Sequence, residues 1–309
     1  MNTPSEGTLT NQQSAYHLGR VAASKDVDKD ILEAMRVCLA VDVGLPEKFA
    51  AQRAREELDR RIPKKVIRVL ADNGINVAGV EALDLGSGLG AMSEELLLNG
   101  AIVTALEPGV AWADLTRRRL ERHGGQFRLL NAFGEAIPLP DESVDLIVSL
   151  RVLEHVRNPE QVLAEAFRVL RPGGRFYLTC ENYLAFKEAH YRVPWLPLLP
   201  KSIGKQYLRM LGRSPRFLEE SVTYTTFPGV IGTCRRLGFI RLRDEEILRN
   251  LDTKRTMKWR LLRLIFLLFG RRGPILMDDA TRTFKSGITE LLRKPPPPRS
   301  SVSPSLVSG

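Results

Sequence analysis

Cysteine is scarce in this chain. The three present, Cys38, Cys180 and Cys234, are odd in number and far apart, which argues against a disulfide framework and against a zinc site. Such usage fits a reducing compartment. No apolar run reaches the ~18 to 20 residues of a membrane-crossing helix, and the first twenty residues lack the basic start and apolar centre of a signal peptide. The chain is therefore expected in the cytoplasm. No internal repeat is visible. The dinucleotide fingerprint G-x-G-x-x-G is also missing: its nearest counterpart, Gly86-Ser87-Gly88-Leu89-Gly90, has glycines at every second position, with Asp84 two residues before the first.

What remains is a globular composition, 43% hydrophobic over 309 residues, enough for one domain of about 200 residues with additions, or for two small domains. The net charge of +10 is unevenly placed. Leu251 to Gly309 holds 12 Lys and Arg against 4 Asp and Glu, and Lys187 to Arg216 holds 7 against Glu188 alone. Two local patches ask for local partners.

Periodicity predicts two or three helices between Lys25 and Asn73, with Pro46 and Pro63 as breakers. Regular alternation follows. Val80 to Leu85 reads as a buried strand, the glycine turn as a tight bend with positive φ, and Met92 to Asn99 as a helix closed by Gly100. Ile102 to Leu106, Phe127 to Leu130, Val144 to Leu150 and Arg175 to Cys180 read as further strands, with helices at Ala111 to His123 and Pro159 to Leu170. Phe227 to Leu237 resumes a helix and Phe239 to Arg243 a strand. The expected fold is α/β, a doubly wound and mostly parallel sheet with helices on both faces.

In such a sheet the ligand sits beyond the carboxyl ends of the strands, where strand order reverses. That rule selects Asp84 to Gly90, Glu107, the Asn131 to Pro140 loop, Arg151 to His155, and Glu181 with Asn182. Glu107, about twenty residues past the glycine turn, is placed to accept from both hydroxyls of a ribose.

These residues fall into an ordered set: Leu-Asp84-Leu-Gly86-x-Gly88-x-Gly90, Ala-Leu-Glu107-Pro, Gly134-Glu135-Ala-Ile-Pro138-Leu-Pro-Asp141-Glu-Ser-Val-Asp145, Val-Leu-Glu154-His155-Val and Leu-Arg-Pro172-Gly173-Gly174. The set resembles the class I S-adenosylmethionine-dependent methyltransferases, in the branch of ubiquinone and menaquinone biosynthesis-like (type 11) enzymes. The resemblance covers roughly residues 80–180 and, more weakly, 227–243. It implies a Rossmann-like methyltransferase fold and S-adenosyl-L-methionine as cofactor. Asp84 and the backbone of Gly86, Ser87 and Gly88 would face the methionine part, Gly90 would let helix and strand approach, and Glu107 would hold the ribose. Phe133 stands where many relatives have an Asp, so the adenine would be held by Phe133 stacking or by the Gly134 backbone, with Glu135 following.

Methyl transfer to an alcohol or phenol also needs a proton removed. His155 and His190 are the candidate bases, with Glu154 and Arg151 beside the acceptor; His17 and His123 read as ordinary surface or core residues. Some relatives place a Glu three residues before the Glu-His pair to hold a divalent metal. Here that position is Arg151, which favours an anionic acceptor, and no metal is expected.

The segment 182–221 breaks the alternation with Pro194, Pro197, Pro200 and Pro215, and is expected to be an acceptor-side lid. Within it Tyr191 and Trp195 offer aromatic faces for a sugar or flat ring, and Arg192 and Lys201 suit phosphate or carboxylate. Trp259 to Phe269, nine apolar residues in eleven with a basic collar, fits an interfacial anchor on anionic lipid or packing against the fold or a second subunit, with nucleic-acid contact the least favoured alternative. The expected organisation is a disordered 1–24, a helical 25–79, a methyltransferase domain at 80–250, a basic hydrophobic extension at 251–294 and a disordered tail at 295–309. The expected function is O-methylation of a small-molecule, glycan or lipid-linked acceptor near the membrane. The alternatives are an RNA methyltransferase, although no RNA-binding module is visible, and a non-catalytic interaction protein.

Overall fold

The computed structural model describes residues 25–41, 44–254 and 256–296. The expectations for 1–24 and for all of the tail beyond 296 lie outside the described residues.

Among the described residues three helices come first: α1 (Lys25–Val41), α2 (Glu47–Leu58) and α3 (Arg61–Asp72). Alternation then begins with β1 (Glu81–Leu85), α4 (Ala91–Leu98), β2 (Ile102–Leu106), α5 (Val110–Glu121) and β3 (Phe127–Leu130), and continues with β4 (Val144–Leu150), α6 (Pro159–Val169) and β5 (Leu170–Glu181). Local chemistry sets several of these ends. Asn158 accepts from the Gln161 amide and Pro159 opens α6, a side-chain cap followed by a preset φ. Gly90, at φ 77°, ends the glycine turn where α4 starts.

β1 to β5 are parallel and ordered β3-β2-β1-β4-β5. Strand order reverses between β1 and β4, so a crevice opens beyond their carboxyl ends. The two-residue period of a strand divides the core. Leu83, Leu85, Ile147 and Phe176 face α6 on one side, while Ala82, Leu146, Val148 and Tyr177 face α3 and α4 on the other. The N-terminal helices α1 and α2 form a third cluster with Leu89 and Leu115, so they cover the end of the glycine turn.

After β5 the chain departs from alternation. β6 (Lys187–Glu188) and β7 (Val193–Pro194) make a small hairpin, followed by α7 (Lys201–Met210) and α8 (Arg216–Glu220). This insertion has its own core of Tyr183, Val193, Trp195, Leu208, Leu218 and Val222. α9 (Phe227–Leu237), capped by Thr226, returns to the sheet and packs beside α6.

The C-terminal region differs most from expectation. The strand expected at Phe239 to Arg243 is only β8 (Ile240–Arg241), because the chain turns at once into α10 (Leu242–Thr253). α11 (Met257–Phe269) and α12 (Arg272–Arg282) follow, and then β9 (Gly287–Arg293) enters the sheet antiparallel to both β5 and β8. Among the described residues the sheet thus has seven strands, ordered β3-β2-β1-β4-β5-β9-β8. Glu290 of β9 is buried, and Arg241 compensates its charge at 3.0 Å while also reaching Asp279 at 2.6 Å. A charge buried this way needs such partners.

Candidate active site

The turn after β1 is built around its glycines. The Gly86 and Ser87 amides both donate to the Leu106 carbonyl, at 2.9 and 3.0 Å, which ties the turn to the end of β2. A Cβ on Gly86 would lie 2.4 Å from Val152, so the loop after β4 packs directly on this turn. At Gly90 a Cβ would meet the Thr116 Cα at 3.0 Å, which is the close approach of turn and helix α5. Asp84, at the end of β1, is buried and accepts from Ser93 Oγ at 2.6 Å. Burial pushes its carboxyl up to about 7, with the Ser93 hydroxyl pulling the other way.

Glu107 bridges two turns. Its carboxylate accepts from the Gly88 amide at 2.9 Å and from the Gly109 amide at 2.9 Å, which fixes its plane and leaves further lone pairs on both oxygens. Burial holds its carboxyl above the usual range, and those two amides oppose the shift. Across the crevice mouth, Phe133 is 65% exposed. Gly134 is buried against Leu85 and Val162. Glu135, expected at the cofactor, has one oxygen turned to the start of α6: its Oε1 accepts from the Arg157 and Asn158 amides at 2.9 and 3.3 Å. A carboxylate before a helix N-terminus satisfies amides that have no intrahelical partner.

The loop after β4 carries the second half of the site. Arg151 adopts φ 59° and sends its guanidinium 3.3 Å from Glu181 at the end of β5. A single 3₁₀ turn, Leu153–His155, then places Glu154 inward and His155 at the rim. Glu154 is fully buried, yet neither carboxylate oxygen has a hydrogen-bond partner among the described residues. Burial, aided by the Glu181 charge, pushes its carboxyl up to about 7. His155 Nδ1 donates to the Ser221 carbonyl at 2.6 Å, which leaves Nε2 as the lone-pair nitrogen of the neutral ring. Desolvation is the first cause holding this imidazole below its ordinary value; the Ser221 carbonyl opposes it.

His190 arrives from the insertion, 35 residues further along the chain. Its ring stands edge-on to His155 with centroids 5.3 Å apart, and Phe217 packs against both rings. His190 Nδ1 donates to Glu188 at 3.0 Å. The two histidines expected as bases are therefore brought together with Glu154. The insertion is fastened here by the Thr223 amide on the Glu154 carbonyl, 2.7 Å, and by Thr223 Oγ1 on the Val156 carbonyl, 2.7 Å.

The other residues expected on the acceptor side lie within the insertion. Trp195 is 3% exposed and packs against Gly204 and Leu218, because the insertion needs a core of its own and takes its largest ring for it. The Tyr191 hydroxyl is occupied within the insertion, donating to the Ser214 carbonyl at 2.9 Å and accepting from the Leu218 amide. Arg192, at φ 56°, is exposed on the β6–β7 hairpin, and Lys201 donates to the Val222 carbonyl. Sequence reasoning missed Ser93, Glu188, Phe217 and Ser221, whose partners are distant in the chain or were assigned no role; only Glu188, two residues from His190, had a nearby signal.

Comparisons with known proteins bear on this arrangement. Residues 83–178 match a family model described as a methyltransferase domain. A ubiquinone biosynthesis O-methyltransferase of Pseudomonas putida strain W619 is 30% identical over 176 residues, 56% of this chain and 69% of the relative. Its counterpart in strain F1 is 32% identical over 134 residues, 41% of this chain and 57% of the relative, so the chain spans little more than half of that protein. Among solved structures, an S-adenosylmethionine-dependent methyltransferase from Mesorhizobium loti aligns with 73% of this chain and 96% of its own, at 17% identity and a TM-score of 0.46.

Proposed function

The chain belongs to the class I S-adenosylmethionine-dependent methyltransferases, and from that premise we propose that it methylates an oxygen of a small-molecule, glycan or lipid-linked acceptor at a membrane surface. S-adenosylmethionine is the methyl donor. In this reading Asp84 and the Gly86 to Gly90 backbone take the methionine part, Glu107 the ribose, and Phe133 and Gly134 the adenine edge. The acceptor hydroxyl lies against Glu154, His155 and His190. Bound S-adenosylmethionine would supply an electrophilic methyl group, while Glu154, His155 and His190 would hold the acceptor hydroxyl toward it and take its proton.

The observation that carries the reading is the convergence of Glu154, His155 and His190 beside the loop that packs on Gly86. Both imidazoles donate through Nδ1 and so keep electron pairs on Nε2, which suits removal of a hydroxyl proton. The name of the P. putida relatives, ubiquinone biosynthesis O-methyltransferase, supports oxygen as the atom methylated. The test is transfer of a labelled methyl group from S-adenosylmethionine to panels of phenols, hydroxylated glycans, amines and RNA. O-methyl products are expected. Label confined to nitrogen, carbon or RNA would refute the oxygen assignment, and cofactor binding without any transfer would favour a non-catalytic role.

The membrane part of the reading rests on α11. No helix of the described residues is long and apolar enough to cross a membrane. Yet Met257, Leu261, Leu264 and Leu268, spaced four, three and four, are all exposed along one face, with Leu267 beside them at 79%. Arg263, within the apolar stretch, turns inward to the Leu251 and Lys254 carbonyls that end α10. Exposed Lys254, Lys258, Arg260, Arg271 and Arg272 flank the apolar face. An apolar strip with a basic rim matches an anionic bilayer better than a second protein surface. All three cysteines are free, as at the cytoplasmic side of a membrane.

A further inference from the structure

We propose that Arg119 of α5 is a positioning residue for the cofactor turn, and that through it cofactor binding is coupled to the docking of helices α1 and α2. Its guanidinium is fully buried and shared among three elements. Nε donates to Glu94 of α4 at 2.8 Å, Nη1 to the Leu89 carbonyl in the middle of the glycine turn at 2.8 Å, and Nη2 to the Glu57 carbonyl at the end of α2 at 2.6 Å. One rigid fork thus sets the turn, the helix after it and the N-terminal helices relative to one another.

The turn is held from behind at successive carbonyls. Thr116, one turn earlier on the same face of α5, donates from Oγ1 to the Gly88 carbonyl at 3.0 Å, and the Gly90 amide donates to the Ser87 carbonyl at 2.8 Å. Arg119 takes the next carbonyl, that of Leu89. The Ser87 carbonyl shares a planar peptide with the Gly88 amide, which holds Glu107 at 2.9 Å, so a shift of these carbonyls carries the ribose acid with it.

The Leu89 side chain is engaged from the N-terminal side. It is buried with Ile31 and Met35 of α1 and Ala50 and Ala54 of α2. Undocking the two helices would uncover this side chain and take one of the three acceptors from Arg119 in the same movement. Packing alone does not call for a charge here, since a buried ion pair is often no more stable than apolar side chains of equal volume. What the guanidinium adds is a fixed arrangement of three acceptors. Glu94 stays paired without it, because Arg60, in the connection from α2 to α3, reaches the same carboxylate at 3.0 Å and Arg122 bonds its other oxygen. Coupling of this kind is reciprocal: the factor by which undocking weakens the cofactor is the factor by which the cofactor slows undocking.

The inference rests on the assignment of the Gly86 to Gly90 turn to the cofactor, and its test needs neither acceptor nor turnover. S-adenosylhomocysteine is titrated into the full-length protein by calorimetry, and amide hydrogen exchange in α1 and α2 is followed with and without it. Saturation should slow that exchange about 5- to 150-fold, the usual span of a coupling between sites. Arg119→Lys keeps a cation beside Glu94 but loses the fork; its affinity should fall by a similar factor, and the ligand should no longer slow exchange in α1 and α2. Met35→Asp undocks α1 without removing a hydrogen bond of the turn, and should weaken binding by the factor that saturation gives in exchange. Circular dichroism checks each fold, and Met35→Asp carries the affinity test if Arg119→Lys fails to fold. Undiminished affinity in either folded variant, or wild-type exchange in α1 and α2 that saturation leaves unchanged, overturns the proposal while the cofactor assignment stands. No binding by the wild type would overturn both, and labelled transfer to nitrogen in place of oxygen would touch neither.

Discussion

Ser93→Ala isolates the electrostatics at the end of β1. The Ser93 hydroxyl donates to Asp84 Oδ2 at 2.6 Å and is the largest influence lowering a carboxyl that burial has raised to about 7. A hydrogen bond to an ionised group contributes about 1.5 to 3 kcal/mol. At about 1.36 kcal/mol per pH unit, its loss raises the Asp84 midpoint by about one to two units. With Asp84 assigned to the methionine part of the cofactor, the anionic form attracts the ammonium group. Wild-type affinity for S-adenosylhomocysteine should therefore rise as pH increases from 6 through 7. In the variant that rise is displaced upward, and affinity at pH 7 falls about 5- to 50-fold. Calorimetric titration at pH 6, 7 and 8 reads both effects. Stability of the ligand-free protein runs the other way. A folded carboxyl raised above its unfolded value costs nothing below pH 3.8 and most above about 7, so Asp84→Asn should stabilise the ligand-free protein at pH 8 by at most about 4 kcal/mol, and far less at pH 4. Wild-type affinity that is flat between pH 6 and 8, or Ser93→Ala binding like the wild type at pH 7, would refute the assignment.

Trp195→Ala should destabilise by about 3 to 5 kcal/mol, since it empties the core of the insertion; a thermal melt within 2 °C of wild type would contradict the buried placement. Leu267→Glu with Leu268→Glu should abolish flotation with vesicles rich in phosphatidylglycerol while leaving the melt unchanged, because both side chains are exposed; undiminished flotation would count against α11 as the contact. Deleting everything after residue 250 is a poor substitute, as it removes β9 from the sheet.

The parallel half of the sheet was legible because its signals are local. β2, β3 and β4 begin and end where periodicity and flanking breakers predict, and the buried face of β1 follows from its apolar run. Asp84, Gly86 and Glu107 could be assigned to the ends of β1 and β2 from the sequence because the crevice rule needs only the strand ends. β9 was not. Its burial pattern alternates, but one buried position is Glu290, which reads as surface until Arg241, 49 residues earlier, is brought against it. In α11, Arg263 interrupts the apolar stretch in the sequence, and only the fold shows that it serves as a cap for α10. Trp195 shows a further limit, since a large ring suits a ligand or a core equally and only the packing of α7 and α8 decides. The approach of His190 to Glu154 depends on how the insertion folds back, which no spacing records.

The central claim is that cofactor and acceptor meet between the Gly86 to Gly90 turn and the Glu154, His155 and His190 cluster. A crystal structure with S-adenosylhomocysteine tests it most directly. The account predicts the ribose on Glu107, the ammonium group toward Asp84 and the sulfur facing the cluster. A thioether directed away from Glu154, His155 and His190, or a ribose not held by Glu107, would contradict it.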